Sequence, residues 1–289
     1  MIGFIPGLLR SCYAGRGELM PPAELEDQLR DIIGKAGRGL GLSPHQLAAV
    51  SGLPASTIVN IKAGLSTPGH ADLARLAAAL NLSGPKLAAI TLDDWRPACP
   101  PLDRWGHVAE IQSYYGDYEA KCYLQWDDTG NAVLFDTGVD ASAVLEMMNK
   151  NRLRLRGIFI THRHPDHIGA LADIRGHSPH EHIEHTESQF PDGFSIQMNG
   201  LHIQAAPTPG HTADGMTFVV RDRADRPAVA YVGDTLFAGS VGGAGFSYPL
   251  LLQSARDRIL SLPPDTLICP GHGPLTTVAE EKAHNPFFL

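Results

Sequence analysis

The chain has 289 residues, 43% of them hydrophobic, enough for one large domain and a small one with ordinary cores. Its 31 acidic against 23 basic residues leave a net charge of −8, which argues against a protein that coats nucleic acid or an anionic membrane. Four scattered cysteines, Cys12, Cys99, Cys122 and Cys269, exclude a zinc ribbon, a thioredoxin motif or a disulfide framework and read as free thiols.

Residues 1–21 read as an N-terminal extension. The apolar start Met1-Ile2-Gly3-Phe4-Ile5 lacks the charged opening of a signal peptide and is broken by Pro6-Gly7. No apolar run approaches the ~18 residues that a membrane span needs, so a cytoplasmic protein is expected.

From residue 22 to 95 the pattern is helical. Ser43 offers an N-cap with Pro44 at the first helical position, and Gly52 offers a stop. A second short helix follows over Pro54–Gly64, and another over Ala71–Leu80. Two short helices joined by a Gly turn follow the helix-turn-helix plan, and the segment resembles the phage-repressor (Cro and cI-like) DNA-binding family. That resemblance implies that Ser56, Thr57, Asn60 and Lys62 face a DNA groove. Seven basic residues against seven acidic ones between Pro22 and Pro97 give no excess with which to neutralise phosphates. Packing or dimerisation is the competing role.

Arg96-Pro97-Ala98-Cys99-Pro100-Pro101 cannot continue a helix and favours extended backbone. It places a linker at 96–104 and a second domain at 105–289. There the hydrophobic pattern predicts strands near 107–114, 120–126, 131–136, 157–161, 194–198, 201–206, 216–222, 228–233 and 266–269, with helices near 141–151, 167–174 and 249–261.

The densest chemistry in the chain follows the apolar run Gly157-Ile158-Phe159-Ile160. Thr161-His162-Arg163-His164-Pro165-Asp166-His167 packs three imidazoles and a carboxylate into one turn. A tetrahedral site takes about four ligands, so these donors plus those downstream are too many for one open ion and suggest two. The downstream donors His211, Asp234 and His272 each follow a glycine at the end of an apolar stretch. Strand ends that turn sharply in this way can converge on one pocket.

This order of residues resembles the metallo-β-lactamase-fold hydrolases, whose signature is His-x-His-x-Asp-His followed by a distant His, an Asp and a final His. The likeness covers roughly residues 105–289. Val133-Leu134-Phe135-Asp136-Thr137-Gly138 looks like one of the family's first strands, and Pro270-Gly271-His272-Gly273-Pro274 with Asn285-Pro286-Phe287 is similar to the chain end of its glyoxalase II-like branch. The resemblance implies an α/β architecture, the αββα sandwich, with the small all-α segment ahead of it. It puts His162, His164 and His211 on a first metal and Asp166, His167 and His272 on a second, with Asp234 bridging. Asp166 and Asp234 thereby count among the catalytic groups, and Asp136 supports a ligand from behind. The implied cofactors are two divalent ions, zinc being expected and iron or manganese the alternatives.

The implied activity is metal-assisted hydrolysis of a small-molecule thioester such as a hydroxyacylglutathione. Two departures from the longer relatives bear on the substrate. The sequence runs 17 residues past His272, short of an extra C-terminal helical domain, and Gly242-Gly243 stands where relatives commonly carry Gly-Arg. A mononuclear-iron persulfide dioxygenase, held by residues matching His162, His211 and Asp234, is the competing enzyme class. A lactonase uses the same ligands, and a DNA-binding regulator with a metal-domain sensor is the non-enzymatic reading. The histidines of Arg175–His185 read as a solvated loop, Cys269 as a buried structural thiol, and Tyr248 as packing or as a border of the pocket.

Overall fold

The computed structural model describes residues 24–98, 102–116, 118–177, 190–222 and 226–289. The N-terminal extension and most of the histidine-rich run lie outside the described residues. Two compact units are present, one built from Cys99–Pro207 and Asp214–Gly233, the other from Pro22–Ala98, Thr208–Ala213 and Asp234–Leu289.

The first unit contains β1 (His107–Tyr115), β2 (Tyr118–Trp126), β3 (Asn131–Phe135), α6 (Ser142–Asn151), β4 (Arg154–Phe159), α7 (Pro165–Ile168) and α8 (Leu171–His177), then β5 (Ser195–Met198), β6 (Leu201–Pro207), β7 (Met216–Asp222) and β8 (Val229–Gly233). Strands β1 to β4 form one sheet in that order, and β3 pairs with β4 in parallel. Strands β5 to β8 pair antiparallel in sequence order.

Alternation along the strands decides what each sheet face touches. Cys122 and Leu124 of β2, with Ala132 and Leu134 of β3, join Val144 and Met148 of α6 and Ile174 of α8 in one buried cluster. The residues between them point the other way. Tyr123 and Phe135 meet Tyr231 of β8, the Phe135 ring stacking on it at 3.8 Å between centroids, and Phe218 of β7 lies against both Phe135 and Phe159. Gln125 accepts a 2.9 Å hydrogen bond from the Tyr231 hydroxyl, so this buried amide oxygen is satisfied. Two sheets thus share an aromatic core.

In the second unit, α1 (Leu29–Gly39), α2 (Pro44–Ser51), α3 (Ala55–Lys62), α4 (His70–Ala79) and α5 (Gly84–Leu92) bury Ile32, Ile33, Ile58, Ile61, Leu73, Leu76 and Leu87. Ser43 is the expected N-cap and forms a capping box with Gln46, and Gly52 ends α2 in the left-handed region. The same unit holds β9 (Leu236–Phe237), β10 (Ser240–Val241), α9 (Tyr248–Ser254), β11 (Leu267–Pro270), β12 (Thr276–Thr277) and α10 (Val278–His284). Ser83 N–H donates to the Pro286 carbonyl at 2.8 Å, and the Lys86 ammonium reaches the carbonyls of Lys282 and Phe288 at 2.8 and 2.6 Å. The C-terminal segment is therefore bound to α5.

Each predicted strand and helix of residues 105–289 has a counterpart, though β4, expected over 157–161, is Arg154–Phe159, two helices differ in extent and four short elements were not predicted. The helix expected over 167–174 is two, because α7 closes after one turn. The helix expected over 249–261 passes into a π turn at Ala255–Ile259. The β9–β10 hairpin, β12 and α10 fall below what a hydrophobic pattern resolves, all three of those strands being two residues long.

Replacing Phe135 by Ala removes the ring at the middle of the aromatic core and is expected to cost about 3–5 kcal/mol, read as a lower urea midpoint with an unchanged slope. A second expectation concerns Glu281, fully buried in α10, which accepts from Gly239 N–H, the Thr276 hydroxyl and the Asn285 amide. Burial pushes its carboxyl up to about 7 from the ordinary 4.5, against those hydrogen bonds. A group with a raised folded pKa binds its proton more tightly in the native state. Its stabilisation is present below 4.5 and lost as pH rises through about 7. Glu281→Gln should flatten the melting temperature across that interval; an undiminished slope would show that another group sets it.

Candidate metal centre

The first unit supplies a run of donors at the end of β4. Asp136, just past β3, adopts φ 55°, a left-handed conformation that Asp tolerates better than most residues. Its Oδ1 accepts from Thr161 N–H at 2.7 Å, and its Oδ2 accepts from the Thr161 hydroxyl at 2.7 Å and meets His167 Nδ1 at 2.8 Å. Thr137 closes the same corner by donating its N–H to the His167 carbonyl at 2.8 Å. A carboxylate at Nδ1 fixes the tautomer with the proton there, which leaves the Nε2 lone pair for a cation.

His162 and His167 are buried, Asp166 is half-buried and His164 is exposed. His162 Nε2 lies 3.0 Å from His164 Nδ1, and His167 Nε2 lies 3.7 Å from Asp166 Oδ2. Four lone-pair donors of this unit are therefore grouped in two neighbouring pairs. Pro165 at the first position of α7 starts the turn that makes this possible.

The second unit supplies the other three. His211 follows Gly210, whose φ of 145° and tight approach to the backbone of Leu251 leave no room for a side chain. His211 Nδ1 lies 2.6 Å from the Gly243 carbonyl, so the proton sits on that nitrogen and Nε2 is again the available donor. Asp234 Oδ2 stands 3.4 Å from His211 Nε2 and 3.4 Å from His272 Nε2.

That spacing is informative. At 3.4 Å it exceeds the usual hydrogen-bond length. It matches two ligands on one tetrahedral ion, which at bonds of about 2.0–2.1 Å stand about 3.3–3.4 Å apart. One carboxylate oxygen is placed in this relation to two imidazoles at once, so the donor set of this unit fits divalent cations on both sides of Asp234. His and Asp groups able to hold a metal are thus present in each unit.

Other expected site residues fall as follows. Ser56, Asn60 and Lys62 are exposed on α3 and Thr57 is half-buried. Tyr248 is buried against Gly39, and burial pushes its hydroxyl up to about 12. Cys122 and Cys269 are buried free thiols. Thr161, which orients a donor, is flagged only by its place beside the histidine run, and the Gly243 carbonyl, 32 residues from His211, carried no sequence signal for this role. A cleft of 530 Å³ in the first unit is lined by Asp127, Asp128, Asn131 and Asp222 and by none of the seven donors.

Residues 115–192 match the family model of the metallo-β-lactamase superfamily. The hydroxyacylglutathione hydrolase GloC of Haemophilus influenzae is 28% identical over 201 residues, which cover 59% of this chain and 93% of GloC. A hydroxyacylglutathione hydrolase of Hahella chejuensis is 32% identical over 152 residues, covering 50% of this chain and 58% of its own. Among solved structures, the B3 metallo-β-lactamase BLEG-1 aligns with a TM-score of 0.51 and 28% identity, over 62% of this chain and 98% of that one. ETHE1 from Myxococcus xanthus gives 0.51 and 28%, over 61% and 83%. The chain has the metallo-β-lactamase fold, preceded by the helical region α1–α5, and glyoxalase II-like hydrolases are among its homologues.

Proposed function

We propose that the chain is a dinuclear-metal hydrolase of thioesters such as a hydroxyacylglutathione. In this reading His162, His164 and His211 hold one ion, Asp166, His167 and His272 hold the other, and Asp234 is shared. The observation that carries it is the Asp234 oxygen set 3.4 Å from two imidazoles that belong to different ligand groups. Within each unit the donors are already neighbours, His162 with His164 and His167 with Asp166 in one, His211 and His272 with Asp234 in the other, which supports the same division. Homology to two hydroxyacylglutathione hydrolases supports the substrate type.

Bound ions would supply Lewis acidity for the substrate carbonyl and lower the pKa of water from about 15.7 to roughly 7. The chain's own residues do the arranging. Asp136 holds the His167 ring with Nε2 forward, and the Gly243 carbonyl does the same for His211. Asp234, largely buried, places negative charge where two cations would otherwise repel each other.

For α1–α5 the reading we favour is packing rather than DNA recognition. Lys35 and Lys86 both spend their ammonium groups on this unit's own carbonyls, and the exposed side of α3 offers Lys62 as a single cation against the several that phosphate binding needs. A gel shift with genomic fragments that gave specific retardation at moderate salt would reverse this.

Two outcomes are expected. Exhaustive chelation should abolish thioester hydrolysis, zinc should restore it, and metal analysis should give two ions per chain. One iron per chain with oxygen uptake on a persulfide would instead identify a dioxygenase, and a lactone turned over in place of thioesters would identify a lactonase. Asp136→Asn removes the acceptor behind His167 and should lower metal affinity or activity about 10–100-fold without unfolding the protein; unaltered metal content and rate would show that His167 needs no such support.

A further inference from the structure

Helix α3 buries Ile58 and Ile61 and turns its opposite side to solvent. That side carries Ser56, Val59, Asn60 and Ala63, spaced i, i+3, i+4 and i+7 and all exposed. The turn that ends the helix extends this stripe. Gly64 N–H donates to the Ile61 carbonyl at 3.0 Å and Leu65 N–H to the Asn60 carbonyl at 2.8 Å, with Gly64 at φ 71°. Such a turn brings the residue after the left-handed glycine back over the last turn of the helix, where an apolar pair commonly meets. Here that pair is Val59 and Leu65, yet they stay 55% and 76% exposed, Leu65 the most exposed of the described large hydrophobics other than the last residue, Leu289. The neighbouring helix α2 repeats the pattern, with Gln46, Ala49 and Val50 exposed at i, i+3 and i+4.

This face is also nearly free of charge. Between Arg38 and Asp72 no aspartate or glutamate occurs, and Lys62 is the only lysine or arginine. Arg30, whose guanidinium lies beside Gly64, has Asp31 next to it at 3.6 Å. A nucleic-acid duplex or an anionic membrane would find too few cations here. A second copy of the chain is placed differently. Two chains of net charge −8 repel one another over most of their surface, and a two-fold contact sets a patch against itself, so a carboxylate within it would meet its own image. The one stretch of the helical region without carboxylates escapes that cost. Ser56 and Asn60 each donate and accept, so each can satisfy its counterpart across the axis.

We propose that the α2–α3 face is a self-association surface, on which two copies of this chain pair about a two-fold axis with Val59 and Leu65 at the centre. The inference stands apart from the thioesterase reading, since none of the proposed metal donors lies on either helix. It gives Ser56 and Asn60 a protein partner in place of DNA. Pairing removes from water an apolar cluster that the chain itself leaves uncovered, and that removal is the driving force for association.

The test is the mass of the full chain in solution, followed by sedimentation velocity over a concentration series. The native chain should reach twice its 31.0 kDa at high micromolar concentration. Val59→Glu combined with Leu65→Glu should raise the dissociation constant about a hundredfold. Asn60→Asp alters charge and not shape, so it should raise that constant about tenfold at low salt and lose most of the defect as salt is added. Tyr114→Glu, an equally exposed change on β1, should leave the mass unaltered. A native chain that stays single throughout would overturn the proposal, as would a dimer that survives the double substitution with its far-UV circular dichroism intact. Should the double variant fail to fold, the Asn60→Asp series decides, and a dimer indifferent to it at every salt concentration places the contact elsewhere. Specific retardation of a DNA fragment that Asn60→Asp abolishes would assign the face to nucleic acid and overturn the proposal as well.

Discussion

A single carboxylate oxygen, Asp234 Oδ2, stands equally far from two imidazole nitrogens, and the chemistry proposed for this chain depends on that arrangement. At 3.4 Å both contacts are longer than an ordinary hydrogen bond, and the spacing is that of two ligands on one cation. The surrounding backbone is shaped to hold it, since Gly242 packs so tightly on the Asp234 carbonyl that any side chain there would collide with it. The placement is built by close packing of loop on loop, which resists small adjustments because packed interiors are not continuously deformable.

The helical region is joined to this arrangement by polar contacts. Asp27, Lys35, Ser240 and the Val241 carbonyl form a connected buried network between the start of α1 and the β9–β10 hairpin. Glu281 makes a second one, tying Gly239, Thr276 and Asn285 together. Buried networks of this kind are costly when one member is missing, because the remaining charge loses its compensation. Loss of α1 would leave Asp27's partners on the hairpin exposed to that cost. The region is therefore part of the unit's internal bonding, whatever else it contacts.

Much of this was legible in the sequence because the signals are local. The donor run His162–His167 is contiguous, Ser43, Pro44 and Gly52 bracket α2 as capping rules require, and the alternation of β2 and β3 marks their two faces. What escaped is non-local. Glu26 meets Gly273 across most of the chain, and no periodicity links two residues so far apart. Lys35 reads as an ordinary helical cation until the carbonyl of Val241 is seen beside it. The β9–β10 hairpin escaped for another reason, since a pair of two-residue strands carries no alternation.

The alternative of an organic nucleophile is disfavoured by what surrounds the candidates. Burial pushes the Cys122 thiol up, with Asp136 and Glu110 adding to it, so it stays protonated and unreactive within the cluster beneath α6. Ser240 donates its hydroxyl to Asp27, away from any imidazole, and Thr161 donates its own to Asp136. Thr161 Oγ1 also lies 3.2 Å from His162 Nδ1, but with its proton given to Asp136 it stands to that ring as an acceptor and not as a nucleophile awaiting deprotonation. Within each unit the imidazoles, His162, His164 and His167 in one and His211 and His272 in the other, are instead set beside carboxylates or one another, an arrangement that presents lone pairs. Lone pairs converging from several loops are what a Lewis acid requires, and they are of little use to a serine or a cysteine.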